Sequence, residues 1–205
     1  MSKYGSYTSG TTSLPKGAII RHRNLLYANW NIEDVAPRRP DDNYVSFSPL
    51  AWITEQSLGL TAHLLYGFQV NFPEGPETVQ NDIREIAPSA LLFPSRIWEG
   101  LARTMQVRLN DSSWINRALV ALFMPVAYQI IDREDAGRPI PLPLRALRAI
   151  GELAVLGPLR DKIGMTRMRD AITSGAALSP DVLRFFRAIG VELKSLYGST
   201  EVQGA

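Results

Sequence analysis

Tyr7-Thr8-Ser9-Gly10-Thr11-Thr12-Ser13-Leu14-Pro15-Lys16-Gly17 is the stretch on which the reading of this chain turns. From Thr8 to Ser13 every residue except Gly10 carries a hydroxyl, and Pro15 adds a break, so the stretch reads as a loop. Small residues let backbone N–H groups converge on an oxyanion, hydroxyls add donors, and Lys16 supplies one point charge. These are the parts of a phosphate clamp. A flexible polar turn has the same composition, so the rest of the chain must agree. A Walker A loop is excluded, because Pro15 stands where its second Gly belongs and Gly17 follows the Lys in place of Ser or Thr.

Outward from this loop, strand and helix alternate at short spacing. Asn24 is a candidate N-cap for a helix reaching about Val35, and Pro37 and Pro40 end it. Strands are predicted over Tyr44–Phe47, Gln69–Phe72, Ala90–Phe93, Arg169–Ser174 and Val191–Tyr197. Helices are predicted over Trp52–Tyr66 with Gly67 at its end, Thr78–Ile86, and Pro180–Ile189 with Ser179 as N-cap. This alternation implies an α/β fold with a mostly parallel sheet flanked by helices. Residues 95–165 break the pattern and read as a helical insertion, interrupted by the Pro-rich stretch 137–145. Within it, Ala118–Ile131 is apolar and reads as a buried helix too short to span a bilayer. Residues 143–157 are amphipathic, with Leu144, Leu147, Ile150, Ala154 and Leu156 on one broad face and Arg145 and Arg148 away from it. That face suits core packing or contact with a membrane surface.

Composition narrows the chemistry. The chain has 205 residues, 45% of them hydrophobic, enough for one sizeable core. With no Cys, thiol catalysis, disulfides and Cys-based zinc sites are excluded, and with 2 His a multi-His metal centre is disfavoured. Basic and acidic residues balance at 22 to 20, and no basic block with interleaved aromatics appears, so nucleic acid is not an expected partner. No signal-peptide pattern opens the chain, and a cytoplasmic location is expected.

Two further segments agree with the loop. Tyr197-Gly198-Ser199-Thr200-Glu201 follows a predicted strand, where α/β sheets place ligands. Thr173-Ser174-Gly175-Ala176-Ala177-Leu178-Ser179-Pro180 is a turn before a helix. Residues 7–17 resemble the Tyr-Thr-Ser-Gly-Thr-Thr-Gly-x-Pro-Lys-Gly signature of the adenylate-forming superfamily, with Ser13 in place of its Gly. Residues 197–201 resemble its Tyr-Gly-x-Thr-Glu motif. Residues 48–56, Ser-Pro-Leu-Ala-Trp-Ile-Thr-Glu-Gln, and the whole of 156–201 are similar to long-chain fatty-acid–CoA ligases.

The resemblance implies the large N-terminal region of an enzyme that turns a fatty acid and ATP into an acyl-adenylate, and then, with CoA, into a thioester. Thr8, Ser9, Gly10, Thr11, Thr12, Ser13 and Lys16 would hold the β- and γ-phosphates. Gly175, Ala176, Ala177, Tyr197 and Gly198 would lie against the adenine. Thr200 would touch the α-phosphate, Glu201 would hold Mg²⁺, and Lys16, Thr200 and Glu201 would act in catalysis. Trp52 would line the acyl channel, with an aromatic packed in the core as its alternative reading. His22 reads as structural. The family also carries strands ahead of the first loop and, beyond residue 205, a ribose-binding Asp, a hinge and a C-terminal domain with an adenylation Lys. Residues 1–205 are therefore expected to be a partial AMP-binding domain, inactive alone. A ligase for another carboxylic acid and a non-catalytic nucleotide-binding module are the alternatives.

Overall fold

The computed structural model describes residues 3–7 and 16–200, with residues 3, 4 and 7 by backbone alone. β1 (Lys3–Tyr7) pairs antiparallel with β2 (Gly17–Arg21), Tyr7 facing Gly17 and Lys3 facing Arg21. The loop expected from Tyr7 to Gly17 is thus bounded by paired strands, and a strand precedes it. Arg21 passes straight into α1 (His22–Glu33). Asn24, the expected N-cap, lies inside the first turn of that helix. It is Asn29 whose amide is buried, donating to the carbonyls of Leu25 at 2.9 Å and Ser57 at 3.1 Å.

β3 (Asn43–Val45) leads through a turn into a π-helical segment, Glu55–Thr61, which continues as α2 (Ala62–Tyr66). The helix predicted over Trp52–Tyr66 is therefore wound more widely at its start. Gly67 closes it at φ 73°, a left-handed conformation that costs glycine no Cβ clash. β4 (Gln69–Asn71), α3 (Val79–Ile86), β5 (Ala90–Pro94) and α4 (Ser95–Asn110) follow. Next come α5 (Trp114–Asp135), α6 (Leu142–Gly151), a second π-helical segment at Glu152–Leu156, and α7 (Gly157–Lys162). β6 (Asp170–Ser174), α8 (Pro180–Ala188) and β7 (Leu193–Leu196) complete the order. Ser179 sits at the N-cap position of α8, without a side-chain capping bond.

β4-β3-β5-β6-β7 form one sheet of five strands, and every paired neighbour runs parallel. The α/β reading and the helical character of 95–165 are borne out. β5 is apolar along its length because helices cover both faces of the sheet. Leu91 and Phe93 face α3, α4, α5 and α8, whereas Ala90 and Leu92 face the π-segment at Glu55–Thr61 and α2. Trp98 is fully buried between Phe93 and Phe186, with ring centroids 5.5 and 5.1 Å away, and its Nε1 donates to the Ile172 carbonyl at 3.2 Å.

A polar network ties the opposite, amino-terminal edge of the sheet. The Ser89 hydroxyl donates to Asp42 Oδ1 at 2.7 Å, and Lys194 Nζ donates to Asp170 Oδ1 at 2.8 Å. The end of α8 is held by two arginines. Arg148 donates to the Ala188 carbonyl at 2.5 Å and Arg160 to that of Ile189 at 2.6 Å, while Arg160 also pairs with Glu152.

Two expectations for the helical region need correction. Ala118–Ile131 belongs to a longer helix, α5, of 22 residues, of whose most apolar window 28% is buried. Its second half is anchored by Phe123, Met124, Ala127, Ile130 and Ile131, whereas Ala118, Ala121 and Leu122 are exposed. Among the described residues, α5 is the one helix with the length and apolarity to cross a membrane, so the shorter reading underestimated it. The apolar face expected over 143–157 is not packed as a unit. Leu156 is buried, but Leu147, Ile150 and Ala154 are exposed, and Arg148 turns inward to cap α8.

Candidate active site

All five strands of the parallel sheet point the same way, so their carboxyl ends share one edge, the edge at which such sheets bind ligands. Ser174, the last residue of β6, is in register with Leu196, the last of β7. The segments that leave these strands, Gly175-Ala176-Ala177 and Tyr197-Gly198-Ser199-Thr200, therefore start side by side. Gly175 takes φ 90°, which turns the chain sharply without a Cβ, and nothing lies within 4 Å of where a Cβ would be. Gly175, Ala176 and Ala177 are exposed, as are Tyr197 and Gly198, and Thr200 is half-buried. These are the residues assigned to the adenine and α-phosphate, and the fold brings them together. A cleft of about 290 Å³ reaches Tyr197 among them, walled by Ile32, Val35 and Ala36 on one side and Lys194 to Tyr197 on the other.

Lys16 is described and exposed, at the entry to β2. Thr8, Ser9, Gly10, Thr11, Thr12 and Ser13 lie outside the described residues, as does Glu201. Among the described residues no cluster of His, Asp and Glu is arranged to hold a metal ion. His22, read as structural, opens α1 and lines an apolar groove of about 480 Å³ with Leu25, Leu26, Leu50, Leu60 and Leu64.

Trp52 is half exposed, so its alternative as a core aromatic does not hold. Its carbonyl accepts from the N–H groups of both Glu55 and Gln56 at 3.1 Å, which anchors the turn after β3 to the π-segment. It lines none of the described cavities. An apolar cavity of about 180 Å³ lies instead on the other face of the sheet, where Phe47 and Phe93 meet Val79, Ile83, Ile97 and Leu101.

Glu55 belongs to the segment 48–56 that resembles the long-chain ligases, but the sequence reading gave it no role of its own. Its carboxyl is 1% exposed, and Oε2 accepts from the Tyr44 hydroxyl at 3.0 Å. Burial pushes the carboxyl above its ordinary value, while polar groups of Ser46, Tyr44 and Ser48 work the other way. The Tyr44 phenol is pushed well up, first by burial and then by the Glu55 charge. The available signal was its place in the segment 48–56; Thr54, Gln56, Ser57 and Thr61 lie around it, so an acid there does not stand out by polarity alone.

The model of the AMP-binding enzyme family matches residues 4–205. A putative fatty-acid–CoA ligase, fadD11, of Mycobacterium tuberculosis is 29% identical over 96% of this chain and 34% of its own length. The long-chain-fatty-acid–CoA ligase ACSBG2 of Gallus gallus is 27% identical over 97% of this chain and 26% of its own. The chain thus spans about a third or less of the curated relatives it matches. Among solved structures, the adenylation domain of a carboxylate reductase from Mycobacterium chelonae superposes with a TM-score of 0.66 at 23% identity, covering 96% of this chain and 26% of that one. The corresponding domain from Segniliparus rugosus, in complex with AMP and a co-purified carboxylic acid, gives 0.58 at 25% identity, covering 96% and 27%. With its strand order, its paired turns after β6 and β7, and a family match over nearly its whole length, the chain belongs to the AMP-binding enzymes.

Proposed function

We propose that this chain is the nucleotide-binding part of a ligase that activates a fatty acid. In the first step a carboxylate oxygen attacks the α-phosphorus of ATP, the bond to the β-phosphate oxygen breaks, and acyl-adenylate and pyrophosphate result. In the second the CoA thiolate attacks the acyl carbon and AMP leaves with the bonding pair. A carboxylate is a poor acyl donor because oxide would have to leave, and adenylation replaces it with AMP. The protein's task is to align the reactants and stabilise phosphate charge.

The observation that carries this reading is the register that starts 175–177 and 197–200 side by side at the carboxyl edge of the sheet. Gly175, Ala176, Ala177, Tyr197 and Gly198 are assigned to the adenine, Thr200 to the α-phosphate, and Lys16 with residues 8–13 to the outer phosphates. By the same resemblance Glu201 would supply an oxygen donor to Mg²⁺, which would offset phosphate charge. The names of the curated relatives support a fatty acyl substrate, with Trp52 assigned to its channel. The exposed Leu142, Leu147, Ile150 and Leu153 support contact with a lipid surface. Flotation with anionic vesicles at low salt tests that contact, and no association would sink it.

Acid-dependent exchange of pyrophosphate into ATP, measured on the natural-length protein against a panel of acids, tests the function. Long-chain fatty acids should support exchange better than aryl or short acids, and Lys16→Ala should abolish it. A preference for another acid is the second reading, favoured by the likeness to an adenylation domain solved with a co-purified carboxylic acid. ATP binding without any acid-dependent exchange would favour a non-catalytic module.

A further inference from the structure

Glu55 is a costly residue to keep where it stands. The residue is buried beside Tyr44, polar groups of Ser46 and Ser48 also act on its carboxyl, and Oε1 makes no hydrogen bond of ordinary geometry. Taking a carboxyl out of water costs free energy that these partners offset only in part, since burial is the larger influence on it. The surroundings are nevertheless shaped to admit it. Gly59, one helical turn on, is the residue that makes room, since a Cβ there would sit 2.5 Å from Oε1 and 3.3 Å from the Tyr44 ring.

The position of Glu55 in the chain gives the acid a purpose. It opens the π-helical segment Glu55–Thr61, and such segments recur at functional sites. The Trp52 carbonyl takes both the Glu55 and the Gln56 N–H, and the Trp52 N–H donates to the Pro49 carbonyl at 2.9 Å. The turn 49–52 thus hangs from the first winding of the π-segment. That winding is in turn fastened to β3 through the 3.0 Å bond from Tyr44.

We infer that Glu55, tethered by Tyr44, is a positioning residue that sets where Trp52 stands at the carboxyl edge of the sheet. This rests on the reading of Trp52 as a residue facing the acid substrate. Glu55 itself touches no reactant.

The test uses Tyr44→Phe, Glu55→Leu and Glu55→Gln in the natural-length protein, each compared with the parent and with Trp52→Phe. Tyr44→Phe and Glu55→Leu should raise the KM for the acid about tenfold and leave kcat and the KM for ATP within about twofold. Glu55→Gln, whose amide oxygen still accepts from Tyr44, should stay within about twofold of the parent on all three. The emission of Trp52, taken by difference from Trp52→Phe, should shift in Tyr44→Phe and not in Glu55→Gln. A lowered melting temperature with unchanged acid KM and unchanged Trp52 emission would overturn the inference and leave Glu55 a structural residue. If Glu55→Leu does not fold, Tyr44→Phe decides. If the parent shows no acid-dependent exchange, the ligase reading fails, and the emission of Trp52 in Tyr44→Phe still decides the positioning role.

Discussion

Arg169, just before β6, and Asp42, just before β3, meet at 2.5 Å between Nη2 and Oδ2, bridging the amino-terminal edge of the sheet across the intervening β5. Asp42 is 4% exposed, and the Ser89 hydroxyl ahead of β5 donates to its other oxygen. One carboxylate thereby joins the entries of three strands. Asp42→Ala removes an acceptor shared by Arg169 and Ser89, which keep Asp170, the Pro37 carbonyl and Asn43 as further partners, so it should cost about 2 kcal/mol. Urea unfolding checks this, and a loss below about 1 kcal/mol would mean the pair is screened like a surface one.

Glu55 gives stability a dependence on pH. Burial holds its carboxyl above the ordinary 4.5, so the folded chain keeps a proton that the unfolded chain releases earlier. The stabilisation linked to that proton is complete below the unfolded value and is lost as pH rises through the raised folded value. Glu55→Gln lacks this titration. Its stability relative to the parent should climb from about pH 4.5 upward, then level off beyond the folded pKa. A stability difference independent of pH across that range would contradict the assignment.

Trp98 anchors the helical face. Trp98→Ala removes a fully buried ring lodged between Phe93 and Phe186, and should cost about 3–5 kcal/mol. Trp98→Phe keeps much of the packing but loses the bond from Nε1 to the Ile172 carbonyl, and should cost less than half as much. Calorimetric melting separates the two.

Arg160 and Arg148 bring positive charge to the end of α8, where the last carbonyls carry a partial negative charge. Arg160→Ala removes a charged donor and strands Glu152, for an expected loss of about 1.5–3 kcal/mol. Gly190→Ala should destabilise as well. At φ 85° an alanine is strained, and its Cβ would collide with Arg160 Nη1. Chemical denaturation of both variants tests this.

The parallel sheet was legible because its strands are short apolar runs between turn residues, and β5 and β6 fall where that pattern puts them. The β1–β2 pair was not. Its strands carry Gly5, Ser6, Gly17 and Ala18, residues with little strand preference, and the pairing comes from contact across the intervening loop. The start of α1 was misplaced because Asn24 looks like a cap, while the chain bends at Arg21 without a side-chain cap. The edge position of 175–177 and 197–200 could be read from motif and strand together. The π-turn could not, since it depends on Glu55 packing under Tyr44, a contact between elements that no local pattern encodes.

Tyr7 and Gly17 face each other in the β1–β2 ladder, so the ends of segment 8–16 are already held together. The entropy of closing that loop is met by the ladder and grows only slowly with loop length. Changes within 8–16, Ser13 among them, are therefore largely uncoupled from where its two ends sit. The anion affinity proposed for this segment can therefore be tuned residue by residue, on a mounting that stays fixed while evolution or an engineer rewrites it.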